Sequence, residues 1–312
     1  MTKGSFIKSL LLLVLFSIVL HAKGDIHLYS ITNNDFKIQA TQAEEQFKKS
    51  GFTIAKNTEM TQPFLKQFKK TKYKIFSLLT LYHPKYSIEL IKKNPSAGMF
   101  TPMTIGIYQQ KDEQTLHIAF LTAKAQADIL GYKRTHPLQL KIEKAMVKSI
   151  TTNYPNTKHQ YSKTNIKSEG PLITAYAKKL EKDDDWEDIK EEVELLIEEN
   201  LRPQGFILAN FTDINYNLTE EEEVESDYNF YSAYSICKLE VIYTVALTNP
   251  EASAFAPCTM IMYQNKNENQ FYIGYPSVYN WIKSSNITEQ PAKDVLYKAQ
   301  TIFESILKDA SE

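Results

Sequence analysis

This 312-residue chain is poor in cysteine and glycine, and each shortage closes off a class of function. Two cysteines cannot make a disulfide-dense scaffold, and without a CxxC there is no thioredoxin-type site. Nine glycines and no glycine-rich loop leave nothing to cradle a nucleotide phosphate. GxSxG does not occur, so the nucleophile-elbow serine motif is missing. His27, His117, His136 and His159 show no HExxH-like spacing, and none follows His159, which argues against a zinc site shared by two domains. The formal charge is −1, without the clustered excess of Lys and Arg that nucleic acid requires. Beyond the first 22 residues no apolar run approaches the ~20 residues needed to span a bilayer.

Those first residues, 1–22, read as a secretory signal. Lys3 and Lys8 flank a polar start, an apolar run follows from Leu10 to Leu20, and Ala22 offers a small residue for cleavage. The expectation is export to the periplasm, with a mature chain that begins near Lys23 and meets membrane only through the leader.

What the chain does have is a repeat. The stretch from Asn94 to Ile118 returns from Asn249 to Ile273 without a gap, placing Asn94 on Asn249, Pro95 on Pro250, Phe100 on Phe255, Pro102 on Pro257, Thr104 on Thr259 and Tyr108 on Tyr263. A repeat of this kind fixes the architecture. The length prior of ~100 to 200 residues per domain also gives two units. They are expected at 23–153 and 171–312, joined by a polar linker at 154–170 that contains Pro155.

Each copy reads as a hairpin followed by an amphipathic helix. Met103 to Tyr108 and Cys258 to Tyr263 alternate as strands, polar turns of equal length follow, and Thr115 to Phe120 and Gln270 to Tyr275 return. Helices are expected over Thr41–Lys49, after His83-Pro84, from Leu138 to Asn153 and from Ala292 to Ala310. Lys74 to Leu81 is a continuous apolar run that suits a central strand. The acids Asp183 to Asp185 before Trp186 lack the glycine and later Glu of a calcium loop, so they read as a helix start. Glu220 to Glu223 after Thr219 reads as a capping box and solvated face.

Short motifs in a set order carry a family resemblance. Gly-Phe after a helix occurs as Gly51-Phe52 and Gly205-Phe206; the end of the next strand is Tyr82-His83-Pro84 in one half and Cys237-Lys238-Leu239 in the other. The hairpin is entered by Pro102-Met103 and Pro257-Cys258. In this order the sequence resembles the family labelled domain of unknown function 302, in two tandem copies. The resemblance implies an α+β fold, two small two-layer α/β domains each with a mainly antiparallel sheet. The duplication itself leads to the expectation of an internal pseudo-dimer, since a duplicated domain often replaces a symmetric homodimer interface. It implies no established activity. The first half lacks both family cysteines, so anything done through them belongs to the second.

Cys237 and Cys258 fall on Tyr82 and Met103, and this paired presence suggests paired use. Three uses stay open: a structural disulfide worth ~3 kcal/mol, two packed thiols, or a thiol-redox or metal-binding pair. The first half gathers Tyr82, His83, Met103 and Met99 instead, a set that could hold copper or haem iron, although His83 before Pro84 also suits a helix start. Aromatic residues reach 12%, and Tyr82, Tyr108, Tyr234, Tyr263, Tyr272, Tyr275 and Tyr279 fall around the repeated strands. They could pack the sheet or line a pocket for a small apolar ligand. The leading expectation is an exported binding module for a small ligand or an envelope protein, with a redox or metal/haem protein as the alternative.

Overall fold

The computed structural model describes residues 23–166, 170–217 and 225–312; the leader and Glu220 to Glu223 fall outside them. In chain order the first half comprises β1 (Ile26–Thr32), α1 (Ala40–Lys49), β2 (Thr53–Glu59), α2 (Thr61–Phe68), β3 (Tyr73–Tyr82), α3 (Pro84–Lys93), a 3₁₀ helix (Pro95–Phe100), β4 (Met103–Gln110), β5 (Thr115–Leu121), α4 (Ala123–Ile129), α5 (Pro137–Asn153) and β6 (Lys158–Tyr161). The second comprises β7 (Ile173–Lys179), α6 (Trp186–Leu201), β8 (Phe206–Asp213), α7 (Ile214–Tyr216), β9 (Tyr228–Lys238), α8 (Leu239–Ala246), a 3₁₀ helix (Pro250–Phe255), β10 (Cys258–Asn265), β11 (Gln270–Pro276), α9 (Tyr279–Ser284) and α10 (Gln290–Ser311).

Two antiparallel sheets result, ordered β2-β3-β4-β5-β1-β6 and β7-β11-β10-β9-β8. They match strand for strand apart from β6, which lies in the stretch read as a linker. Its residues Lys158 to Tyr161 pair with Ser30 to His27 and extend the first sheet. Matching bulges interrupt the edge pairings, between Ile54 and Lys56 in one half and Leu208 and Asn210 in the other.

Local chemistry explains where the helices begin and end. Pro84 and Pro137 occupy first-turn positions whose N–H groups would be unpaired anyway. Just before them, His83 Nδ1 accepts from the Tyr86 N–H at 3.4 Å and His136 Nδ1 from the Leu138 N–H at 3.2 Å. Asp185 Oδ1 caps α6 by accepting from the Glu187 N–H at 2.9 Å. The chain leaves α1 and α6 through Gly51 and Gly205, at φ of 88° and 77°, a left-handed conformation that favours glycine.

Strand alternation splits β3 and β4 between two cores. Ile75, Leu79, Leu81, Ile105 and Ile107 pack with Phe47 of α1 and with Ile142 and Met146 of α5. Phe76, Leu78 and Tyr108 join a core shared with the second half. The unbroken apolar run of β3 is therefore buried on both faces.

The two halves meet through reciprocal contacts, the signature of a twofold interface. Thr104 Oγ1 donates to the Pro257 carbonyl at 3.3 Å, and its repeat partner Thr259 donates to the Pro102 carbonyl at 3.2 Å. Tyr228 donates its hydroxyl to the Ile91 carbonyl at 3.2 Å, and the equivalent Tyr73 donates to the carbonyl of Ala246. Gly106 makes one close approach possible, since a Cβ there would stand 1.8 Å from Ser253 Oγ of the other half. Among the described residues, no helix is long and apolar enough to cross a membrane.

Candidate functional site

A cleft of about 530 Å³ opens in the second half between α6 and the sheet. Its floor is the face of β9 and β10 that carries Tyr234, Ile236, Met260 and Met262; Ile197 and Leu201 of α6 form one wall. Ile207, Leu208 and Phe211 of the edge strand β8 form the rim and are 54%, 48% and 48% exposed. This is the size and character of a small-molecule site, apolar with a few polar groups.

The polar groups come from α6 at helical spacing. Lys190 Nζ lies 2.7 Å from Glu194 Oε1, and Arg202 Nη2 lies 2.5 Å from Glu198 Oε1, each an i,i+4 pair. Tyr234 donates its hydroxyl to the same Glu194 Oε1. Burial, then the charge of Glu194, pushes the Tyr234 phenol well above its usual range, so it remains a donor at any ordinary pH.

The first half has the same face, and there a smaller groove of about 360 Å³ lies off the floor, between the start of α1 and the edge strands β2 and β3. The repeat offset places Leu79, Leu81, Ile105 and Ile107 where Tyr234, Ile236, Met260 and Met262 stand; both sets are buried, the second at no more than 6% exposure, and only the second borders the large cleft. Counting back from Gly51 and Gly205 aligns Ala40 with Glu194, Ala43 with Ile197 and Phe47 with Leu201. The small side chains let α1 lie close to its sheet, and Asn57 on β2 donates to Glu44 Oε2 at 2.8 Å, latching helix to edge strand. At those two positions the second half has Phe211 and Glu198, which cannot form that bond. At two of these helix positions α6 carries larger side chains, and its link to the sheet among the described residues is the Tyr234–Glu194 hydrogen bond on the floor and not a bond to the edge strand.

Of the three uses left open for Cys237 and Cys258, the disulfide is not formed: both are free thiols. Cys258 lies opposite Ile236 in the β9–β10 register, one residue off Cys237. Both border a void of only about 30 Å³ at the end of the sheet. Burial pushes both thiols up to about 12, with the neighbouring Cys237 adding to the effect at Cys258.

The first-repeat positions are occupied structurally. His83 caps α3, stacks on Tyr86 and meets Phe52 edge-on; burial lowers its basicity. Met103 is buried in the first core, Met99 packs at the interface between halves, and the Tyr82 hydroxyl accepts from Asn217 Nδ2 at 3.0 Å. Among the described residues no group of three or more His, Cys, Asp or Glu is placed to hold a metal ion.

Of the strand tyrosines, only Tyr234 lines the cleft. Tyr108 stacks on His117 and Tyr263 on Tyr272, ring for ring at equivalent positions. Tyr275 packs against Phe303 and Tyr279 against Tyr297. Pro102 and Pro257 follow cis peptide bonds at equivalent turns. Sequence reasoning missed Lys190, Glu194, Phe206, Phe211, Met260 and Met262. The available signal was the exchange of Ala40, Ala43 and Leu79 for larger residues in the second copy.

Two antiparallel sheets, each backed by its own helices and joined by reciprocal contacts, define a duplicated two-layer α/β protein. The family described as "Domain of unknown function DUF302" matches residues 29–152 and 187–306, and the chain belongs to that family as two tandem copies. No curated protein matches it. A solved structure described as an uncharacterized conserved protein DUF302 from Bacillus stearothermophilus is similar at 17% identity over 45% of this chain and 98% of that one, with a TM-score of 0.35.

Proposed function

We propose that this protein is an exported binding module whose second domain takes a small, largely apolar ligand between α6 and the sheet. The observation that carries the reading is the 530 Å³ cleft over Tyr234, Ile236, Met260 and Met262, whose counterparts in the first half line no such cleft. Methionines on the floor suit it to ligands of varied outline, because their unbranched side chains repack at small cost. The leader-like first 22 residues support export, which the mass of the chain recovered from its own cell envelope would test: a start near Lys23 is expected.

The thiols give the redox alternative little support. A group with its pKa near 12 holds almost no thiolate at neutral pH, and the thiolate is the reactive form.

Titration with the neutral fluorescent probe N-phenyl-1-naphthylamine tests the binding reading. Saturable binding is expected, with affinity about tenfold weaker in Leu208→Trp, which fills the cleft from its exposed rim without disturbing the core. No saturable binding, or equal binding by the variant, would remove the cleft from consideration.

A further inference from the structure

Resting on that reading, we propose that the ligand is an uncharged apolar molecule carrying a hydroxyl, and that the hydroxyl donates to the carboxylate of Glu194. Both hydrogen bonds to Glu194 among the described residues, from Lys190 Nζ and the Tyr234 hydroxyl, fall on Oε1. That leaves Oε2 as an acceptor on the cleft wall. A carboxylate has about four lone-pair sites and accepts only, so what it lacks is a donor. The Tyr234 proton is already committed to Glu194, and the Lys190 ammonium, 22% exposed, is held between that carboxylate and the Phe230 ring, 5.5 Å from its centroid.

Charge balance then selects against ionised ligands. The cleft carries Lys190 with Glu194 and Arg202 with Glu198, two cations against two anions. A ligand carboxylate would stand beside Glu194 and Glu198 and compete for cations already paired. A ligand ammonium would meet a carboxylate that Lys190 has neutralised. Either charge would lose its hydration in an apolar cleft without an unpaired counter-ion. A neutral hydroxyl has no such cost and makes one charge-assisted bond, the stronger kind.

Calorimetric titration with 2-naphthol, its methyl ether 2-methoxynaphthalene, and 2-naphthoate separates the possibilities. The expected order puts 2-naphthol about tenfold or more ahead of the ether, because a site that pairs a ligand hydroxyl rejects the analogue lacking it, with 2-naphthoate weakest. Glu194→Gln, at a partly exposed position, should shrink the naphthol-to-ether affinity ratio. Equal binding of naphthol and ether, weakened alike by Leu208→Trp, would overturn the hydroxyl assignment and leave the cleft as a binding site. Tightest binding of 2-naphthoate would overturn it in favour of recognition by Lys190 or Arg202. Binding of none of the three would overturn both the assignment and the cleft reading beneath it. The wild-type comparison needs no variant, so a misfolded Glu194→Gln protein would not blunt the test.

Discussion

The two halves build the same sheet face and finish it differently. In the first, α1 closes over Leu79, Leu81, Ile105 and Ile107; in the second, α6 stands off Tyr234, Ile236, Met260 and Met262 and leaves a cleft. The backbone plan, the edge bulges and even the helix-surface ion pairs correspond, Lys48–Glu44 in one half and Arg202–Glu198 in the other. The difference lies in a few side chains at the helix–sheet contact. A duplicated domain can therefore widen the space under one helix by exchanging a few residues there, while its twin keeps the narrower form.

The largest effect that bears on this contrast comes from truncating equivalent floor residues. Leu81→Ala removes a fully enclosed side chain and should cost ~3 to 5 kcal/mol, because the tight core cannot collapse around the cavity. Ile236→Ala borders existing space and should cost ~2 kcal/mol, at the low end for such a change. Urea denaturation of the two variants measures the gap. Equal losses would mean that the second floor is as enclosed as the first, and the contrast would fail.

Much of this was legible in the sequence. The repeat gave two domains, the prolines before α3 and α5 gave the helix starts, and equal turn lengths gave matching hairpins. The cleft was harder to see because it arises between elements. The helices align through Gly51 and Gly205 with an offset one residue shorter than that of the hairpins, so the exchange of Ala40 for Glu194 falls outside the gapless repeat. The cysteines misled for a related reason. Their pairing in sequence was plain, but only the structure shows them as neighbouring free thiols, with Cys258 opposite Ile236 in the β9–β10 register. Lys158 to Tyr161 is short, polar and mostly exposed, and pairing with β1 makes it a strand where composition alone reads as linker.

A smaller effect tests whether the interface is as symmetric as the fold. Tyr73→Phe and Tyr228→Phe each delete one hydroxyl that reaches across to a carbonyl of the other half. Each should cost ~1 to 2 kcal/mol, the loss of a buried hydrogen bond with its acceptor left unpaired. The two losses should agree closely. A clear excess for one variant would show that the halves do not share the interface evenly.

The smallest effect is a pH response that should divide the halves. Burial, then His27 and Lys23, lowers the basicity of His159, and burial lowers that of His83. Burial raises the Glu143 carboxyl, but hydrogen bonds from His27 and the Ala123 N–H hold it below its usual range. For all three the folded pKa is depressed, so their stabilisation is present above the unfolded values, ~6.5 for His and ~4.3 for Glu, and fades as pH falls through the folded ones. Burial raises the carboxyl of Glu251 in the second half. Its sign is opposite: its contribution is complete below the unfolded value and lost as pH rises through the folded one. Burial raises the Asp25 carboxyl of the first half in the same way, so the histidines alone divide the repeats: none follows His159, and acidification from pH 7 to 5 should loosen the elements that carry His83 and His159. Hydrogen exchange, corrected for its intrinsic pH dependence, should show β6 and α3 losing protection and α10 retaining it. Uniform loss across both halves would mean that this titration is not divided between the repeats.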